Sequence, residues 1–409
     1  MVKIVHVTAE IAPIAKEGGL ADVVYGLSRA SVDMGHQVTV MLPNYDCLRR
    51  DRLDQANFEG IELILIDDPA FERGKIWGCP DDVQRFSRFC QKAHEKLPEC
   101  DVVHLHDWAA CPFLFFPQEQ KQILTIHNLA YQGIASWDDM QWLKPPQEAW
   151  QNPNACNLLQ AGIALADSIT TVSPTYAKEI QTEAFGCGLD SFLRLHPGKL
   201  TGILNGIDPT YWKPHKRLPF SRKEKPVIGC VSRLTEQKGL PLIRSTIDFA
   251  LKHSCKFFLL GSSTETKINE EFQQLAEQYA SHPDIHLIIA YDEERASQIY
   301  ATSDLIIVPS NYEPCGLTQM IAHVNGVLPV VRHTGGLADT VQDEVDGFVF
   351  EEATITAYHA TLDRALTIRS SQPEKWETMR KTALSRDWSW TRAAKQYLDL
   401  YSTPVQSKL

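Results

Sequence analysis

Two successive series of short apolar runs, each followed by a stretch of helical periodicity, constrain this chain more than any other feature. The first series occupies residues 3–7, 36–42, 61–66, 101–105, 123–126 and 168–172; the second occupies 227–231, 256–260, 285–289, 305–308 and 327–331. Strands that are apolar throughout, separated by helices, belong to parallel sheets covered on both faces, because a parallel connection needs a crossover helix. The pattern therefore predicts an α/β protein with two such sheets. Between the first two runs, Leu20, Val23, Val24, Leu27 and Met34 recur at helical spacing and Gly35 follows where a helix-ending glycine is expected. A second helix is expected over residues 240–253.

The 409 residues suffice for two or three domains at roughly 150 residues each. The proline- and charge-rich stretch 209–219 is the natural linker, with a hinge near 212–225. This divides the chain into domains at 1–214 and 215–385, with a C-terminal helical segment at 386–409. A composition of 44% hydrophobic and 22% charged residues excludes disordered, collagen-like and coiled-coil classes. A net charge of −11 opposes nonspecific binding to nucleic acid or anionic membrane. The ten cysteines form no CxxC pair, so they read as reduced thiols. The opening residues enter a strand directly, without an apolar leader, and no run reaches the roughly 18 apolar residues of a membrane span. The expected location is the cytoplasm.

Open parallel sheets bind ligands at the carboxyl ends of their strands, so the loops there are where chemistry is sought. After the first run comes Lys16-Glu17-Gly18-Gly19-Leu20-Ala21-Asp22, in which paired glycines allow close backbone approach to an anion; a plain tight turn is the alternative. After the run at 227–231, Arg233 and Lys238 lie five residues apart on one loop, suited to a diphosphate, unless both are merely solvated surface cations. In Pro309-Ser310-Asn311-Tyr312-Glu313-Pro314-Cys315-Gly316-Leu317-Thr318, Glu313 precedes a helix start; glutamate caps helices poorly, which favours a sugar-binding carboxylate. Gly335-Gly336 repeats the anion-cradle pattern. His104 and His106 share a strand face in His104-Leu105-His106-Asp107-Trp108, but no third ligand follows nearby, so no metal site is expected. The P-loop, G-x-S-x-G, HExxH and Asp-x-Asp patterns are all missing from the sequence.

Together these segments resemble the bacterial glycogen synthase and plant starch synthase family. The resemblance rests on 16–22, 104–108, His127-Asn128-Leu129-Ala130-Tyr131-Gln132-Gly133, 171–177, Asn205-Gly206-Ile207-Asp208, 232–239, 313–319 and 334–339, in order across nearly the whole chain. Leu260-Gly261-Ser262-Ser263 and Tyr45-Asp46-Cys47-Leu48 are similar especially to the starch synthase III/IV and chlamydial-type branch. The resemblance implies a GT-B fold, two Rossmann-like domains facing across a deep cleft. It also implies transfer of glucose from ADP-glucose to the non-reducing end of an α-1,4-glucan with retention of configuration. ADP-glucose and the glucan or a maltooligosaccharide would be the partners, with neither cofactor nor metal.

By the same resemblance, Lys16 with Gly18 and Gly19 would meet the donor's phosphates and glucose, and Arg233 and Lys238 would neutralise the diphosphate. Glu313 would hold the transferred glucose. Cys315, Gly316, Leu317, Thr318, Gly335 and Gly336 would add donor contacts, and Tyr291, 22 positions before Glu313, would lie against adenine. Asp22, Asp107 and Asn205 would line the acceptor side. The chain departs from bacterial members at Gln147-Glu148-Ala149-Trp150-Gln151-Asn152-Pro153-Asn154, where they carry a donor-contacting histidine, and it is shortened after Gly133 and between about residues 51 and 100. His127 is the catalytic imidazole offered in its place; a strand-end histidine bonded to backbone is the alternative reading. A noncatalytic glucan-binding or initiation scaffold of the same fold stands beside the enzyme, which the retained Lys16, Arg233, Lys238 and Glu313 favour.

Overall fold

The computed structural model describes residues 1–52, 60–117, 119–144, 155–209, 211–212 and 225–403. The chain forms two compact units: Met1–Gly206 together with Trp390–Leu409, and Ile207–Ser389. Most of the hinge segment expected at 212–225, including the expected boundary at 214, lies outside the described residues.

The first unit is built on seven parallel strands: β1 (Lys3–Val7), β2 (Gln37–Pro43), β3 (Ile61–Ile66), β4 (Val102–His106), β5 (Lys121–Ile126), β8 (Ser168–Thr171) and β9 (Leu200–Gly202), the short pair β6 (Ile134–Ala135) and β7 (Cys156–Asn157) lying apart. Their order is β3-β2-β1-β4-β5-β8-β9. Every residue of β4 and β5 is buried, which explains the unbroken apolar runs. The chain moves outward from β1 to β3, then returns to the other side of β1 with β4. At that reversal neighbouring loops leave in opposite directions and open a crevice at the strands' carboxyl ends.

The second unit repeats the plan with six parallel strands: β10 (Val227–Arg233), β11 (Lys256–Ser262), β12 (Ile285–Ile289), β13 (Leu305–Val308), β14 (Leu328–Arg332) and β15 (Phe348–Phe350), ordered β12-β11-β10-β13-β14-β15. Its reversal falls between β10 and β13. Ile228, Leu259, Ile307, Val330 and Phe348 belong to one buried cluster that also takes in Phe249 and Trp376 from flanking helices.

The C-terminal helix Trp390–Ser402 belongs to the first unit. It buries Trp390, Ala393, Ala394, Tyr397 and Tyr401, and packs on the helix Gly19–Asp33 that follows β1. Gly26 lets this happen: a Cβ there would lie 1.9 Å from Nε1 of Trp390. Within a helix alanine is favoured over glycine by about 1 kcal/mol, but a methyl group driven into a buried indole costs more. Gly26→Ala is therefore expected to destabilise the first unit by about 1–3 kcal/mol and to speed proteolytic release of the last helix. Urea unfolding and limited proteolysis read the two effects.

Candidate active site

The sequence-derived site loops leave the carboxyl ends of strands, most of them at or beside a reversal point, while Asn205 and Tyr291 follow the edge strands β9 and β12. In the first unit, Lys16 and Gly18-Gly19 follow β1, Asp107 follows β4 and His127 follows β5. Lys16 Nζ pairs with Asp22 Oδ1 at 2.9 Å, both side chains partly exposed. Gly18 ends the loop in extended conformation and its outer side is open, since a Cβ there would meet nothing within 4 Å. Asn205 lies beyond β9, nearly buried, with no partner for its Oδ1.

Asp107 adopts φ 57° and ψ −176°, a region open essentially only to glycine. A strain of about 1–3 kcal/mol at a single residue persists only where the surroundings fix it. Here Asp107 Oδ1 accepts the backbone N–H of His127 at 2.7 Å. Burial pushes the Asp107 carboxyl up to about 7, so it sits where it changes charge near neutral pH.

Behind Asp107 the strands bring four imidazoles together. His6 on β1 lies opposite His104 on β4. His6 Nδ1 lies 2.9 Å from His106 Nε2, and His106 Nδ1 lies 3.0 Å from His127 Nε2. His104 uses both nitrogens, one with Tyr401 Oη at 2.7 Å and one with Thr125 Oγ1 at 2.6 Å. His6 therefore supplies the third imidazole that local spacing did not reveal, and its donor atom, with one each from His104 and His106, falls within a 4.8 Å cluster. Both nitrogens of His104 and of His106 are nevertheless engaged, while Nε2 of His6 is buried without a partner among the described residues. Burial lowers all four pKa values, those of His6 and His127 to about 3. The neutral rings of His6, His106 and His127 form a hydrogen-bonded chain, and His104 beside them bonds to Tyr401 and Thr125.

In the second unit, Arg233 ends β10 and Lys238 follows it, Glu313 follows β13, and Gly335 and Gly336 follow β14. Lys238 Nζ meets Glu313 Oε2 at 2.6 Å, with Ser310 Oγ donating to the same oxygen at 2.8 Å. The two loops are joined by Asn311 N–H to Gln237 O at 2.8 Å and Gln237 Nε2 to Tyr312 O at 3.2 Å. Gly239 is needed for this approach: its φ is +72°, and a Cβ would lie 2.2 Å from Pro309 O. Gly336 donates to Glu313 O at 3.0 Å and its Cα faces Cys315 so closely that a Cβ would lie 2.2 Å from the Cys315 carbonyl oxygen. Gly335 and Gly316 have φ of +47° and +74°. Leu317 and Thr318 are half-buried at the start of the helix Thr318–Val324, while Cys315 is a buried free thiol. Arg233 is exposed, its guanidinium with no hydrogen bond or ion pair among the described residues. Tyr291 is 69% exposed and donates to Glu293 Oε1 at 2.7 Å.

The structure thus joins Lys16 to Asp22, Asp107 to His127, and Lys238 to Glu313. Tyr291, Arg233 and Asn205 make no contact with these pairs among the hydrogen bonds and ion pairs described. The segment 147–154, where relatives' histidine is sought, lies outside the described residues. Sequence reasoning missed Ser310, His6 and Glu10; of these, only Ser310 had a local signal, being three residues from Glu313.

Two doubly wound parallel sheets, each with a candidate site at its reversal point, are the architecture of GT-B glycosyltransferases, the class to which comparison with known proteins assigns the chain. Residues 3–195 match the family model described as the starch synthase catalytic domain, and 214–384 match glycosyl transferases group 1. A glycogen synthase of Protochlamydia amoebophila is 35% identical, over 97% of this chain and 98% of its own. The alignment spans 491 positions against 409 residues here, so that relative carries insertions. A probable starch synthase 4 of Arabidopsis thaliana is 36% identical over 98% of this chain and 47% of that longer protein. Among solved structures, the catalytic domain of Arabidopsis starch synthase IV bound to ADP and acarbose superposes with a TM-score of 0.91 at 34% identity, covering 98% of this chain and 99% of that one. The chain belongs to the glycogen synthase and starch synthase family.

The four buried imidazoles have a measurable consequence. The unfolded chain binds protons near pH 6.5, whereas folded His6 and His127 do so only near 3. Their stabilising contribution is complete above pH 6.5 and is lost as pH falls towards 3. Asp107 works in the opposite sense, its contribution being present below its ordinary 3.8 and lost as pH rises through about 7. At pH 5 His6 and His127 each forgo about 2 kcal/mol by staying neutral, and His104 and His106 act in the same direction, so the imidazoles outweigh the one carboxyl. The unfolding free energy is expected to fall between pH 7.5 and 5, and the fall to shrink by about 2 kcal/mol in His6→Phe. Denaturant titrations at the two pH values measure both.

Proposed function

We propose that this enzyme transfers glucose from ADP-glucose to the non-reducing end of an α-1,4-glucan with retention of configuration. The observation that carries the reading is the Lys238–Glu313 pair beside an unpaired Arg233 at the reversal point of the second sheet. A diphosphate needs two cations, and a glucose hydroxyl pair needs a carboxylate; this loop pair offers both. That the Arabidopsis relative was solved with ADP supports adenine as the base, and the exposed Tyr291 ring is available to stack on it.

In this reading the bond between glucose C1 and the diphosphate oxygen breaks, the acceptor hydroxyl attacks the same face, and its proton passes to the departing phosphate oxygen. Arg233 and Lys238 stabilise the charge that accumulates on the diphosphate, and Lys16 with Gly18-Gly19 adds to that stabilisation. Glu313, released from Lys238 as the donor arrives, holds the glucose hydroxyls, with donor contacts from Cys315 to Thr318 and from Gly335-Gly336. Asp22, Asp107 and Asn205 serve the acceptor, and His127, held neutral by burial, faces the sugar as an uncharged hydrogen-bonding group. Because the chain's own cations meet the diphosphate, transfer is expected to proceed in EDTA. No helix among the described residues is long and apolar enough to cross a membrane, and all ten cysteines are free thiols, in keeping with a reducing cytoplasm.

Incorporation of labelled glucose into glycogen or maltooligosaccharide, from ADP-glucose and UDP-glucose in parallel, tests the reading. Transfer from ADP-glucose is expected; no transfer from either donor, with glucan still bound, would leave the scaffold reading in its place. Glu313→Ala and Lys238→Ala are each expected to lower kcat/KM by about a hundredfold or more while glucan binding persists. Near-normal turnover in both variants would remove this site assignment.

A further inference from the structure

The loop that carries Lys16 and the glycine pair is held by a residue from the strand behind it. Glu10 lies just past β1, its side chain 4% exposed. Its Oε2 accepts the backbone N–H of Glu17 at 2.7 Å and of Gly18 at 2.9 Å, and its Oε1 accepts the Trp77 indole N–H at 2.7 Å. Its backbone is fixed in turn by Thr8, whose Oγ1 donates to Glu10 O at 2.9 Å and accepts from Glu10 N–H at 3.2 Å. Glu10 forms no ion pair among the described residues. Burial raises its pKa and the three N–H donors oppose that rise. A buried carboxylate met by three donors and by no cation is costly to keep unless its acceptor geometry is used.

The geometry shows what it is used for. Two successive peptide N–H groups, those of Glu17 and Gly18, turn inward onto one oxygen, which fixes the peptide planes between Lys16 and Gly19. The outer side of Gly18 is open, so the hold comes from beneath. A second staple runs the other way, Glu17 Oε1 accepting the Ile76 N–H at 3.3 Å. The Ile76 carbonyl is bonded by the wholly buried Arg85, whose Nε also donates to Asp82 at 2.8 Å. The segment around Trp77 is thereby a fixed anchor and not a loose flap.

We propose that Glu10 is a positioning residue for donor binding: it acts through the peptide groups of Glu17 and Gly18 to set the Lys16–Gly19 loop, with Trp77 fixing the orientation of its carboxylate. This rests on the reading of that loop as a donor-binding element. The carboxylate touches no substrate in this scheme. It orders the loop that does, so its loss is felt at the donor and not at the glucan.

Glu10→Gln keeps the shape but carries one acceptor oxygen. If that oxygen faces Glu17 and Gly18, the amide NH2 confronts the indole N–H of Trp77, donor against donor. Glu10→Gln is expected to lower kcat/KM for ADP-glucose by at least about tenfold, with the glucan KM within about twofold of wild type. In the Glu10→Gln/Trp77→Phe double variant, which removes the opposing N–H, most of that loss should be recovered, while Trp77→Phe alone, which leaves Glu10 its two peptide donors, lowers kcat/KM less than Glu10→Gln does. Thermal melts confirm that the variants are folded. Equal losses at donor and glucan, an unaffected Glu10→Gln enzyme, or a double variant no better than Glu10→Gln would each overturn the proposal. Should the wild-type protein transfer nothing from ADP-glucose, the functional reading fails by itself. The clamp is then read by calorimetric ADP binding, expected about tenfold weaker in Glu10→Gln, and equal affinities would overturn it.

Discussion

Parallel strands cannot be joined by a hairpin, and every other feature of this molecule depends on that constraint. Each strand must be followed by a helix that returns the chain to the starting edge, so all strand-to-helix loops emerge at one end of the sheet. Burial of both sheet faces then dictates nearly continuous apolar strands, and the reversal of winding beside β1 and beside β10 separates adjacent loops. Polar chemistry is thus confined to one rim. The glycine loop, Asp107 and His127 occupy that rim of the first unit's sheet, and Lys238, Glu313 and the Gly335-Gly336 turn that of the second unit's own sheet, because topology leaves them no other place.

The rim residues are held by contrasting means. In the second unit an ion pair and backbone cross-links between two loops do the holding, and glycines permit the close approach. In the first unit the support is a buried polar layer: strained Asp107, four neutral imidazoles and the carboxylate of Glu10. Such layers are stable only when nearly every donor meets an acceptor. Here Nε2 of His6 is a buried exception among the described residues.

The strands dominated by Ile, Leu and Val were legible because their composition alone declares them: residues 3–7, 61–66, 285–289 and 305–308 match β1, β3, β12 and β13 end to end. Strands Leu200–Gly202 and Phe348–Phe350 were not, being three-residue edge strands with mixed exposure and too few residues to show a period. The site loops were legible where paired glycines, a cation pair or a Glu-Pro turn sit within a few residues. The support beneath them was not. That His6 joins His106, one hundred positions away, depends on strand register, and that Glu10 folds onto Glu17 and Gly18 depends on the path of a loop. Local spacing encodes neither.

The second unit is inserted into the first, since the helix Trp390–Ser402 returns to the sheet begun at Lys3. During synthesis the first unit therefore cannot be completed until the second has been made in full. Until then the groove over Gly26 lacks its tryptophan, and His104, buried in the finished protein, lacks the Tyr401 hydroxyl that engages its Nδ1. The order in which the ribosome delivers the chain thus makes the second unit able to finish first, and leaves the imidazole layer of the first among the last parts to close.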